Sequence, residues 1–239
     1  MSMPSFYVNP EQLVREKAEY ARRNIARGRP LIAVSYGDGI LLCAENTSAT
    51  LHKISEIYDR IAFAGIGLYS EFDMLRRAGV QHADVKGYQF SREDVDARAL
   101  ATLYAQYLYQ VFTHEVKPYE IEILVAEVGG SLADDRMYRL QYDGIIIDEH
   151  DFAVLGGEAE AITQRMKETY EAGMPLDAAL RAATAALGGP DRTIAAGDLE
   201  VAVLHRNEDR RAFRRVEDAE TAELLGSNDA GGEGEGEQQ

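Results

Sequence analysis

Apolar segments in this chain come in pairs joined by tight polar turns, with pairs of helices between them, a rhythm that few folds accommodate. Residues 31–35 and 39–44 flank Gly37-Asp38-Gly39, and residues 54–58 and 61–66 flank Asp59-Arg60, so both read as hairpins. Ile61-Ala62-Phe63-Ala64-Gly65-Ile66 has too few polar side chains for an exposed face, which predicts a sheet covered on both sides. Helical spacing follows: Leu68, Phe72 and Leu75 share one side of a helix expected to end near Gly79, with room for a restart from Ala83. Ser91 and Asp94 form a capping-box pattern that opens a long helix to about Glu115, with two adjacent apolar stripes. Four strands come next, over 121–128, 137–142, 145–147 and 152–155, then helices over 158–171 and 176–187. Glu120, Glu122 and Glu127 alternate imperfectly with Ile121, Ile123 and Val128, the pattern of a half-covered strand. A strand pair over 199–204 and 211–216 and a short helix over 219–225 close the series, and a first helix over 10–26 precedes it with Asn9 as N-cap and Pro10 at its first position.

Strands and helices that alternate in pairs disfavour a doubly wound parallel sheet, where they alternate singly. The expected class is α+β, a four-layer αββα sandwich of two stacked antiparallel sheets with helices on each outer face. One domain is expected over 10–225, with flexible ends at 1–9 and 226–239. The latter holds five glycines and four acidic residues and no large apolar side chain, so it cannot build a core.

Several function classes fall away. The 239 residues carry 25 Lys and Arg against 41 Asp and Glu, a net charge of −16, which opposes binding along a phosphate backbone. The basic residues from Arg206 to Arg215 are interrupted by Glu208 and Asp209 and read as contacts within the domain or at an interface. No run approaches the roughly 18 apolar residues of a membrane span, so a cytoplasmic protein with no membrane partner is expected. The lone Cys43 sits in an apolar run and reads as a buried hydrophobe, and the five histidines lack metal-ligand spacing, so no metal and no cofactor are expected. Asp148-Glu149-His150-Asp151 reads as a polar turn between strands. Gly65-Ile66-Gly67 stands between a strand and a helix but has Ser70 where a dinucleotide fingerprint needs its third glycine, which leaves close packing at the turn.

Nucleophilic catalysis also lacks its parts. No G-x-S-x-G occurs, and an N-terminal nucleophile would need Thr, Ser or Cys at the head of the first strand, where the chain reads Gly28-Arg29-Pro30. No catalytic residue is therefore assigned.

Leu51-His52-Lys53-Ile54-Ser55-Glu56-Ile57-Tyr58-Asp59-Arg60 is the longest of many segments that resemble, in order, the proteasome α-type subunits, above all the actinobacterial ones. Pro10-Glu11-Gln12-Leu13, residues 19–28 and 39–46, Gly67, Glu71-Phe72, Leu75-Arg76-Arg77, Gly79, Lys117-Pro118-Tyr119-Glu120, Ala126-Glu127-Val128, residues 199–204 and residues 210–215 carry the rest. The resemblance implies the fold of N-terminal nucleophile hydrolases and a homo-heptameric α ring at each end of a barrel whose inner β rings are proteolytic. Arg29 then stands at the threonine position of a catalytic β subunit, Glu45 at its supporting aspartate and Lys53 at its lysine. Also implied are an activator-docking pocket of Lys53, Gly28, Gly67 and Leu68, a gate of Phe6, Tyr7 and Val8, and a ring-packing first helix with Glu19, Tyr20 and Arg22. The tyrosine-aspartate-arginine gate signature of archaeal and eukaryotic relatives is absent. The partners implied are β subunits, a hexameric AAA-type ATPase activator and unfolded protein in transit. A self-processing hydrolase and a ring scaffold unrelated to proteolysis are the competing readings.

Overall fold

The computed structural model describes residues 9–207 and 211–226. Helix α1 (Pro10–Ile25) leads into the hairpin β1 (Leu31–Tyr36) and β2 (Gly39–Glu45), and then into a second hairpin, β3 (Ile54–Tyr58) and β4 (Ile61–Gly67). Helices α2 (Tyr69–Gln89) and α3 (Ala97–His114) come next, followed by β5 (Ile121–Glu127), β6 (Arg136–Leu140), β7 (Ile146–Glu149) and β8 (Phe152–Leu155). Helices α4 (Ala159–Thr169) and α5 (Leu176–Gly188), strands β9 (Leu199–His205) and β10 (Phe213–Val216), and helix α6 (Asp218–Gly226) complete the order.

The strands form two antiparallel five-stranded sheets, β10-β9-β2-β1-β8 and β3-β4-β5-β6-β7. Strand alternation sorts their side chains into three cores. Ile32, Val34, Leu41, Cys43, Val201 and Val203 turn outward against α4 and α5, while Phe63, Ile121, Ile123 and Val125 turn outward against α2 and α3. Between the sheets lie Leu31, Ile40, Leu42, Ile54, Ile66, Leu124 and Leu204, with Ala33, Ala44, Ala62, Ala64, Ala126, Ala153 and Ala202 among them. Alternating large and small residues lets the two inner faces interdigitate at close range. This is the four-layer αββα sandwich of the N-terminal nucleophile hydrolases, and Cys43 is wholly buried in it, its thiol pushed up to about 12 by burial.

The structure corrects several local expectations. The two hairpins belong to different sheets, and so do the consecutive strands β7 and β8: β7 pairs with β6, β8 with β1. Asp148 and Glu149 accordingly end a strand, leaving His150 and Asp151 as the crossing, where Asp151 takes φ 65°. Helix α2 does not stop at Gly79 but runs through it, and the position is glycine because a Cβ there would fall 1.7 Å from the Tyr104 hydroxyl of α3. Glycine at that point is a close-approach residue, not a terminator. The Ser91–Asp94 capping box is formed, yet it caps a single 3-10 turn, and α3 starts later on the Asp96 carboxylate, which accepts from the Ala99 amide at 2.8 Å. Strand β5 is covered on both faces, with Glu122 buried against Arg139 at 2.9 Å, so the half-covered reading fails.

Candidate functional site

Three chain segments meet where β1 begins. Pro30 delivers the chain into β1, Glu45 ends β2, and Lys53 immediately precedes β3, so the site joins the two sheets. The Lys53 ammonium donates to the carbonyl oxygens of Arg29 and Glu45, each at 2.9 Å. Arg29 turns its guanidinium onto the Glu45 carboxylate at 2.5 Å, and Arg192 approaches the same carboxylate at 3.0 and 3.1 Å. The Arg192 hydrogen bond leads the causes that hold the Glu45 carboxyl below its usual range, with the Arg29 charge adding to it. Burial pulls the Lys53 ammonium down to about 8, while Glu200 and then Glu45 act in the opposite direction. A lysine bound to backbone carbonyls inside the chain still has one of its three N–H groups to offer.

Gly28, Gly67 and Leu68 adjoin this cluster. A Cβ on Gly28 would lie 3.5 Å from the Gly67 amide nitrogen, and the Gly65 amide donates to the Lys53 carbonyl at 2.9 Å. Gly67 has φ +98°, and any Cβ on it would collide with the Glu120 carbonyl, so both conformation and space require glycine. Leu68 donates its amide to that same carbonyl at 3.1 Å and leaves its side chain exposed. Gly28 and Gly67 thus approach each other, and the chain from Gly65 ties back to Lys53.

Helix α1 is anchored beside it. Its Asn9 cap accepts from the Glu11 amide at 3.0 Å, and Ala21 and Ile25 are its buried positions. Tyr20 donates to Glu120 at 3.0 Å, Lys17 reaches the Phe112 and Glu115 carbonyls, and the Arg22 guanidinium stands 5.9 Å from the centre of the Tyr142 ring. Glu19 faces solvent. Leu13 and Val14 are 45% and 52% exposed. Phe6, Tyr7 and Val8 lie outside the described residues.

Sequence reasoning missed Glu200. Its buried carboxylate accepts from the Lys53 amide at 2.8 Å, the Ile54 amide at 3.1 Å, Asn46 at 2.7 Å and Arg215 at 2.9 Å. The available signal was one acidic residue in the otherwise apolar run from Leu199 to Leu204. A cleft of about 830 Å³ between the end of α1, β6 to β8 and α4 was also unforeseen; inside it Arg139 bridges Glu122 and Glu149. The described basic residues of the 206–215 stretch meet acidic partners within the chain: Arg206 with Asp135, Arg211 with Glu56, Arg214 with Glu220 and Arg215 with Glu200. Among the described residues no three acidic, histidine or cysteine side chains gather as a metal site, and no helix is long and apolar enough to cross a membrane.

Comparison with known proteins shows which chains this one is similar to. A family model described as "Proteasome subunit" matches residues 25–204. A protein of Acidimicrobium ferrooxidans named "Proteasome subunit alpha" is 55% identical over 231 residues, covering 97% of this chain and 99% of its own. Proteins of the same name from Sanguibacter keddieii and Frankia casuarinae are each 54% identical, over 95% and 90% of this chain and 91% and 94% of theirs.

Proposed function

The chain belongs to the proteasome α-subunit family, on its actinobacterial side, and from that premise we propose that it is a non-catalytic ring subunit of a cytoplasmic 20S core particle. Seven copies close an outer ring, stack on the proteolytic β rings, restrict entry of unfolded protein and receive the C-terminal tails of a hexameric AAA-type ATPase.

The observation that carries this reading is the bonding of Lys53. An N-terminal nucleophile enzyme uses its lysine beside a hydroxyl or thiol whose own α-amine is free. Here position 29 is an arginine in mid-chain, and the lysine is bound to two backbone carbonyls. Its remaining N–H is suited to a terminal carboxylate, and Gly28 and Gly67 keep the approach clear of side chains. Leu68 supplies apolar contact beside it.

The other roles follow from position. The exposed Leu13 and Val14 on α1 support its packing against a neighbouring copy, with Glu19, Tyr20 and Arg22 on the same helix. Residues 1–9 lead into α1, and Phe6, Tyr7 and Val8 among them form the gate, where aromatic rings fill a pore at low rotamer cost. The folded unit spans 10–225, and 226–239 is an acidic fringe. Tail binding opens the gate to the extent that it favours the open over the closed arrangement.

Rings of this chain alone are expected to leave fluorogenic peptides uncut, and addition of the β partner to restore cleavage. Peptidase activity in the α ring by itself, with a processed terminus bearing Thr, Ser or Cys, would overturn the assignment.

A further inference from the structure

We propose that Glu200 is the positioning residue of the docking lysine: from the opposite sheet its carboxylate fixes the backbone on which Lys53 stands and supplies counter-charge to its ammonium. The inference rests on the pocket reading above and concerns a residue outside that pocket.

The geometry is specific. Lys53 immediately precedes β3, an edge strand whose backbone has few partners of its own there. Glu200 satisfies both amides there, Lys53 at 2.8 Å and Ile54 at 3.1 Å, from β9. Since β9 and β3 belong to different sheets, this carboxylate clamps the two layers together at the point where the lysine emerges. Asn46 and Arg215 hold it in place at 2.7 and 2.9 Å, and Arg215 also donates to the Ile54 carbonyl at 2.6 Å. At 8% exposure the side chain has little freedom to do otherwise. Charge-assisted bonds from a buried carboxylate to backbone amides are strong and directional.

The charged groups around the ammonium are few. Glu45 faces it from β2, Arg29 from the segment before β1 and Glu200 from β9. Arg192 sits on Glu45, Arg215 on Glu200, and the His52 ring lies 3.4 Å from Glu200. Neutralising Glu200 therefore removes the leading influence that offsets burial of the lysine, and neutralising Arg215, the cation paired with that carboxylate at 2.9 Å, removes a positive charge and acts in the reverse direction.

The test uses the assembled four-ring particle. The probe is a fluorescent peptide with the last residues of the ATPase activator, as free acid and as C-terminal amide. Free-acid binding is expected to fall with a midpoint near the lysine value of about 8, with the amide insensitive. Glu200→Gln should move the midpoint down and Arg215→Gln should move it up. One unit of lowered lysine pKa weakens free-acid binding roughly five-fold at about pH 8 and hardly at all at about pH 6. A merely structural lesion would weaken binding equally at both. Superimposed pH profiles for Glu200→Gln and the parent overturn the proposal, and if that variant fails to assemble, an unmoved Arg215→Gln profile does so. Equal binding by Lys53→Ala and the parent at about pH 6 instead overturns the pocket reading itself.

Discussion

Lys53 donates its ammonium to the carbonyl oxygen of Arg29 at 2.9 Å, so its side chain is bound to the backbone of the residue that, on the reading proposed above, replaces a nucleophile. Lys53→Ala should cost the tail carboxylate a charge-assisted bond worth about 1.5–3 kcal/mol. The ratio of activator-stimulated to unstimulated proteolysis is expected to drop more than about tenfold, since every 1.4 kcal/mol is a factor of ten. An unchanged ratio in an intact particle would remove Lys53 from docking.

Titration of the same lysine gives a dependence with two signs. Docking requires the ammonium, so stimulation should weaken as pH rises through about 8. Folding stability moves the other way: between about 8 and 10.5 the unfolded chain binds the proton that the folded chain has lost, so this group's contribution improves with rising pH. Tail-peptide titration and denaturant unfolding across that range, each compared with Lys53→Met, separate the two effects.

Deleting residues 2–8 removes the segment that leads into α1 without touching the Asn9 cap. Basal turnover of short peptides by the assembled particle should rise several-fold, with little further gain from activator. Unaltered basal turnover in a particle of normal size would refute the gate.

Leu13 and Val14 are solvent-facing in the single chain, so replacing both with serine should leave monomer stability within about 0.5 kcal/mol. Ring formation is expected to suffer, with the heptamer giving way to smaller species in analytical ultracentrifugation. Rings of undiminished stability would exclude this part of α1 from the contact between copies.

Gly79→Ala should destabilise by about 1–3 kcal/mol, because its new methyl group collides with the Tyr104 hydroxyl in a packed interface between α2 and α3. Tyr104→Phe should be neutral or slightly stabilising, since that hydroxyl is buried and finds no hydrogen-bond partner among the described residues. The double variant is expected to recover part of the loss in urea unfolding, and strict additivity of the two changes would contradict the direct contact.

What the chain order determined on its own was whatever depends on neighbours a few residues apart. Hairpin turns at Gly37-Asp38-Gly39 and Asp59-Arg60, the Asn9 cap and the two-sided covering of residues 61–66 are all local properties, and all were legible. Gly79 and the Ser91 capping box misled for the same reason. Each carries a genuine local signal, a helix breaker and a helix start, which the packing of α2 on α3 and the later Asp96 cap overrode. Only the tertiary structure decided which strands share a sheet, since β8 finds β1 across more than a hundred residues and β7, its neighbour in sequence, goes elsewhere. It also decided the meaning of Glu200. A carboxylate in an apolar strand has the same sequence signature whether it faces solvent or another sheet, and its bonds to Lys53 and Ile54 exist only because two sheets stack with that strand end opposite the other.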